Sequence, residues 1–248
     1  FTVMAFSLLV ILILAVWRAP LSEGGLGARP RVALAVIAVL FAVWANLHGG
    51  FVAGLLLIGL VSAGLALDRF RGLTEVVTSH RVGLLAFAGV LGAVIASLAT
   101  PLGGQIWEYF QSFSNPAIRF ASTEWLPALQ SMPAMGYLAL SAAFAGWLWW
   151  RSTPPRQIAP LLVALGFIAF AVFSMRNIIF VAPALAFQIA WAAPNRPDQG
   201  LRAPIALAGT AAIGAVVAWA AVLRPAQAQP QLRALAVEYA IDHPPKTG

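Results

Sequence analysis

Residues 32–67 read V-A-L-A-V-I-A-V-L-F-A-V-W-A-N-L-H-G-G-F-V-A-G-L-L-L-I-G-L-V-S-A-G-L-A-L, an apolar run interrupted at Asn46 to Gly50. About 20 helical residues cross a hydrocarbon core, so the run is too long for one ordinary span. It reads as two short helices meeting at N-L-H-G-G, with Gly49 and Gly50 permitting a tight reversal. Asn46 suits a cap for the reversing chain. The stretch 159–193 repeats the pattern, with Ser174 to Asn177 at its apex.

The rest of the chain has the same character. Of 248 residues, 61% are hydrophobic and only 9% charged, where a soluble domain carries about a quarter charged residues. Mean hydropathy is +0.86. Together these predict an all-α integral membrane protein with about eight transmembrane helices, at roughly 1–17, 32–46, 51–67, 82–99, 135–150, 159–174, 178–193 and 203–223. Two short broken helix pairs and one long outer loop, 100–134, complete the expected architecture. The transmembrane domain would occupy 1–223, and 224–248 would begin an extracytoplasmic region of a longer protein, of which this chain is an internal piece. Phe1 to Trp17 lacks the basic flank and cleavage pattern of a signal peptide.

A net charge of +7 suggests nucleic acid in a soluble protein. Here the basic residues are scattered between apolar blocks, and no nucleic-acid partner is expected. Arg18, Arg29, Arg31, Arg69, Arg71, Arg81, Arg151, Arg156, Arg196 and Arg202 fall in four links between predicted spans. Alternating spans put all four links on one side, which the positive-inside rule makes cytoplasmic. The expected location is therefore the bacterial cytoplasmic (inner) membrane, multi-pass, with arginine-rich loops inside. The N-L-H-G-G break, the loop 100–134 and the S-M-R-N break would share the outer face.

That face collects the chemistry. His48 is either a proton acceptor, with an ordinary pKa near 6.5, or an interfacial hydrogen-bonding group. Arg176 is the single charge between Arg156 and Arg196. It either binds phosphate or carboxylate through its planar fork or snorkels to the interface. Asn177 adjoins it. Glu108 and Glu124 are the outer loop's acids; each can pair with Arg119 or Arg176, or act as a base. Trp107, Tyr109 and Trp125 suit either an aromatic belt or a sugar-facing surface. Without cysteines there is no disulfide or thiolate metal site, and no metal-ligand spacing, P-loop or G-x-S-x-G motif occurs. No cofactor is evident.

In order, W-A-N-L-H-G-G-F-V-A-G (44–54), T-P-L-G (100–103), T-E-W-L-P (123–127), S-M-R-N (174–177) and L-A-V-E-Y (235–239) resemble bacterial GT-C-type, family-39-like membrane glycosyltransferases and their relatives. T-P-L-G stands where that family carries N-P-Y-G. The resemblance implies transfer of a sugar from a polyprenyl-phosphate donor to a lipid or protein acceptor at the extracytoplasmic face. Membrane lipid and a lipid-linked sugar are the implied partners. By position, Asn46 and His48 would line the cavity, and Glu124 and Trp125 would face the sugar. Arg176 would hold the donor phosphate. The resemblance places the usual catalytic acid in an outer loop upstream of Phe1. Two other classes remain open on the residues alone: a transporter or flippase of a lipid-linked or anionic solute, and a non-catalytic membrane scaffold.

Overall fold

A computed structural model describes residues 2–18, 28–73, 76–112, 125–152 and 154–192. Among the described residues every regular element is helical. Helix α1 is Thr2–Arg18, α2 Ala28–Leu47, α3 Phe51–Phe70 and α4 Val76–Ala99. A 3₁₀ turn at Gly103–Gln105 leads into the short α5, Ile106–Ser112. A second turn at Ala128–Gln130 precedes α6, Met132–Arg151; α7, Ala159–Phe173, passes through a 3₁₀ turn at Met175–Phe180 into α8, Val181–Ala192. The expected span 203–223 and the C-terminal region lie outside the described residues.

Helices α2 and α3 are 20 residues each, about 30 Å long, rather than the short halves expected. Both run on into charged links. Arg29, Pro30 and Arg31 form the first turn of α2, where proline's missing N–H is harmless, and α3 continues through Asp68 and Arg69. The second pair does remain short, with 15 residues in α7 and 12 in α8. The expected outer loop also contains the helix α5.

The reason for Gly50 differs from the sequence reading. Its φ of −65° is one that any residue adopts, and the described glycines with positive φ are Gly72 and Gly103. What Gly50 supplies is space. A Cβ there would stand 2.5 Å from Thr2 Cγ2, and one at Gly54 would stand 2.9 Å from both Phe41 and Trp44. The start of α1 thus seats directly on the turn between α2 and α3.

Around this turn lies the main core, in which Phe6 of α1, Phe41 and Trp44 of α2, Phe51 and Leu57 of α3, and Phe167 and Phe187 of the last pair are fully buried. Helix α2 packs on α1 and α4, while α3 packs on α4 and α7. The outward faces are also apolar. Val32, Val36, Val39, Val43 and Leu47 are exposed on α2, as are Phe87, Val90, Val94 and Leu98 on α4. Steps of three and four residues align each set along one helix face. Of the described helices, Phe51–Phe70 is long and apolar enough to cross a membrane, with mean hydropathy 2.1.

One end of the bundle is basic. There Asp68, fully buried, accepts hydrogen bonds from the backbone N–H groups of Ile158 (2.7 Å) and Ala159 (3.1 Å). These are among the N–H groups that a helix start leaves without intrahelical partners, so the end of α3 caps the start of α7. Arg71 lies 3.5 Å from the same carboxylate and donates to the Arg156 carbonyl at 3.1 Å. Gly64, one turn earlier, makes the approach possible, since a Cβ there would collide with the Ala159 backbone. Residues 68–71 and 156–159 therefore meet at one end of the bundle.

Candidate functional site

At the opposite end three segments distant in sequence converge. The α2–α3 turn contributes His48, the segment before α6 contributes Trp125, and the 3₁₀ turn after α7 contributes Arg176. Phe180, inside that 3₁₀ turn, packs against Phe6 and Phe167, with ring centroids 5.0 and 6.1 Å away. The Asn177 side chain donates to the Phe170 carbonyl at 3.0 Å, satisfying one of the free carbonyls at the end of α7. The Met175 N–H donates to the Leu126 carbonyl at 2.9 Å. Leu126, Met175, Ile178 and Leu138 share a second apolar cluster. Arg176 is thereby held from both sides.

Its guanidinium Nη2 stands 2.6 Å from His48 Nε2, and its Cζ lies 5.0 Å from the centroid of the Trp125 ring. The Gly50 N–H donates to His48 Nδ1 at 2.8 Å. A neutral imidazole has one acceptor nitrogen and one N–H, while a guanidinium has donors only. If Nδ1 accepts from Gly50, Nε2 carries the proton and meets Arg176 donor to donor. The other tautomer moves the conflict to Gly50. Among the described residues the cluster thus holds one donor more than its acceptors satisfy, and an anionic oxygen against Arg176 and the ring would balance it. His48 lies in the link between helices; partial burial and the Arg176 charge lower its pKa below 6.5, which favours the neutral ring.

The other expected residues divide. Asn46 is exposed and donates to the Ala42 carbonyl at 2.9 Å and the Ala99 carbonyl at 2.6 Å, tying the end of α2 to the end of α4. Asn177 likewise uses its amide on α7. Both serve the scaffold around Arg176 and His48. Glu108 is exposed on α5, which Trp107 holds to the bundle by an indole N–H bond to Ser97 Oγ (2.6 Å) and an edge contact with Phe51. Glu124, Arg119 and the Tyr109 side chain lie outside the described residues. Among the described residues no three His, Asp or Glu side chains come together as metal ligands.

Two functional-looking residues were absent from the sequence reading. Asp68 falls in the expected link after 51–67, and nothing local reveals a partner 90 positions away. Gln188, the lone polar residue of 178–193, carried a signal: an amide in an apolar run needs a reason. Comparison with known protein families, curated proteins and solved structures finds nothing that matches.

Proposed function

We propose that the chain is a multi-span membrane protein of GT-C type whose His48–Arg176–Trp125 end binds the phosphate of a polyprenyl-phosphate sugar. The observation that carries the reading is the meeting of Arg176 with His48, which leaves hydrogen-bond donors in surplus beside an aromatic face. Phosphate oxygens are strong acceptors, and a guanidinium binds them bidentately. The membrane setting is supported by the apolar stripes on α2 and α4, since soluble monomers rarely expose contiguous apolar patches beyond a few hundred Å². It is supported also by the gathering of Asp68, Arg71 and Arg156 at the other end, which is cytoplasmic in this reading. About eight spans, including 203–223, cross the bacterial inner membrane.

In the proposed reaction an acceptor hydroxyl oxygen attacks the sugar's anomeric carbon. The bond from that carbon to the phosphate oxygen breaks, and its electron pair leaves with the polyprenyl phosphate. Arg176 stabilises that developing charge. Glu124, next to Trp125 in the chain, takes the hydroxyl proton as general base. His48, whose Nδ1 accepts from the Gly50 N–H, turns its Nε2–H beside Arg176 toward the phosphate oxygens.

The test is sugar transfer from radiolabelled polyprenyl-phosphate donors by the full-length protein, with Arg176→Ala and Glu124→Gln as controls and donor binding measured in parallel. Transfer lost in both variants, with binding lost only in Arg176→Ala, is the expected result. Donor binding by the wild type without transfer would instead favour a carrier of lipid-linked solutes. Neither binding nor transfer with any donor would overturn the phosphate site.

A further inference from the structure

The basic end holds a cleft of about 280 Å³, lined among others by Leu148, Trp149, Pro155, Gln157, Gln188 and Trp191. Its donors are mostly turned inward. Trp149 Nε1 donates to the Gln157 carbonyl at 3.0 Å, Trp191 Nε1 to Gln157 Oε1, and Ser152 Oγ to the Trp149 carbonyl. Gln188, only 2% exposed, donates its amide to the Ala145 carbonyl at 2.9 Å. Its Oε1 is buried and has no hydrogen-bond partner among the described residues. A buried acceptor without a donor is costly, and Gln188 is among the residues lining the cleft, so a ligand whose O–H or N–H group reaches that oxygen would relieve the cost. The surroundings decide between the two. Among the described residues no acidic side chain lines the cleft, and Arg156, flanked in sequence by lining residues, lies over the Trp149 ring at 5.8 Å. Arg156 Nε is likewise buried without a partner among the described residues. An ammonium would meet this cation unopposed. A hydroxylated anion instead offers O–H groups to Gln188 and phosphate oxygens to Arg156, with apolar faces for the indoles.

We infer that this cleft binds the headgroup of an anionic, hydroxylated phospholipid of the phosphatidylglycerol kind. Basic pockets between helices near the cytoplasmic surface suit anionic headgroups, and that placement rests on the membrane reading above. The hydrogen-bond pattern does not. Glycerol 1-phosphate carries the same chemistry without the lipid.

Native mass spectrometry of the full-length protein, exchanged in turn into phosphatidylglycerol, phosphatidylmethanol and phosphatidylcholine, tests the site without using transfer activity. Phosphatidylmethanol has the same charge as phosphatidylglycerol and lacks the hydroxyls. Phosphatidylglycerol should be retained roughly 3- to 10-fold over phosphatidylmethanol, the range expected of one net hydrogen bond. Both should exceed phosphatidylcholine. Gln188→Leu should bring phosphatidylglycerol down to the phosphatidylmethanol level, and Arg156→Ala should weaken both. Competition by millimolar glycerol 1-phosphate would support the same site with a free ligand as its source, and resistance to it would support the lipid. Equal retention of phosphatidylglycerol and phosphatidylmethanol by the wild type overturns the proposal, leaving only surface charge. Because that comparison uses the unaltered protein, it stands even if a variant fails to fold. Loss of donor binding at the His48 end would leave it untouched.

Discussion

Asp68→Ala is expected to destabilise the protein by about 2–4 kcal/mol. The Ala159 N–H it abandons is buried, and an unsatisfied buried donor costs about 1–3 kcal/mol. The Ile158 N–H is only partly buried and regains water, so its loss is closer to ~1 kcal/mol. Asp68→Asn should fall in between, since its carbonyl oxygen serves one N–H while its NH₂ faces the other donor to donor. Arg71→Ala provides the control. Arg71 is 44% exposed and 3.5 Å from the carboxylate, a geometry worth at most about 1 kcal/mol. Thermal unfolding of the purified protein, followed by tryptophan fluorescence together with size-exclusion recovery, should rank wild type above Arg71→Ala, then Asp68→Asn, then Asp68→Ala. If Arg71→Ala were as damaging as Asp68→Ala, the carboxylate would be acting through the ion pair and the capping account would be wrong.

Three further outcomes follow from the same geometry. Gly64→Ala should cost about 1–3 kcal/mol by overpacking α3 against the start of α7, whereas Gly59→Ala, with nothing within 4 Å, should be neutral or stabilising by up to about 1 kcal/mol; equal melting temperatures would contradict the close approach. His48 has a depressed pKa, so its contribution to stability is complete above pH 6.5 and is lost as pH falls toward the folded value. His48→Gln should flatten this part of the melting profile between pH 7.5 and 5, and an unchanged profile would show that the ring does not titrate there. Finally, Gly49→Cys should react with an impermeant thiol reagent applied from outside, while Gly25→Cys and Asp198→Cys should not, and the reverse pattern would invert the proposed orientation.

Apolar blocks mark the helices well because these helices are apolar on their outward faces as well as in the core: 51–67 and 159–174 end within three residues of the ends of α3 and α7. The ends misread were those at which charge enters a helix. Arg29 and Arg31 at the start of α2, and Asp68 and Arg69 at the end of α3, have the polarity of links, yet the helices continue through them. The sharing of one end by Asn46, His48, Trp125 and Arg176 was legible from span alternation alone. Which of them touch was not, because each contact joins segments 50 or more positions apart. Gly50 shows a subtler gap. A glycine there is conspicuous in the sequence, but its cause is crowding by Thr2, which no local pattern reveals.

The two ends of the bundle are not independent, because α3 and α7 are pinned at both. From Phe51 to Asp68, α3 rises about 26 Å, and from Ala159 to Phe173, α7 rises about 21 Å. Asp68 sets their relative height at one end, and the 3₁₀ turn after Phe173 makes up the difference at the other, where Arg176 reaches His48. A slide of one helical residue between them would be about 1.5 Å. That is enough to separate a 2.6 Å contact and to move Arg176 off the Trp125 face. In the transfer site proposed above, misplacement by about 1 Å is expected to cost on the order of a hundredfold in rate. Asp68, Gly64 and Arg176 therefore belong to one device: a carboxylate cap and a close helix approach at the basic end fix the register that presents a cation at the other.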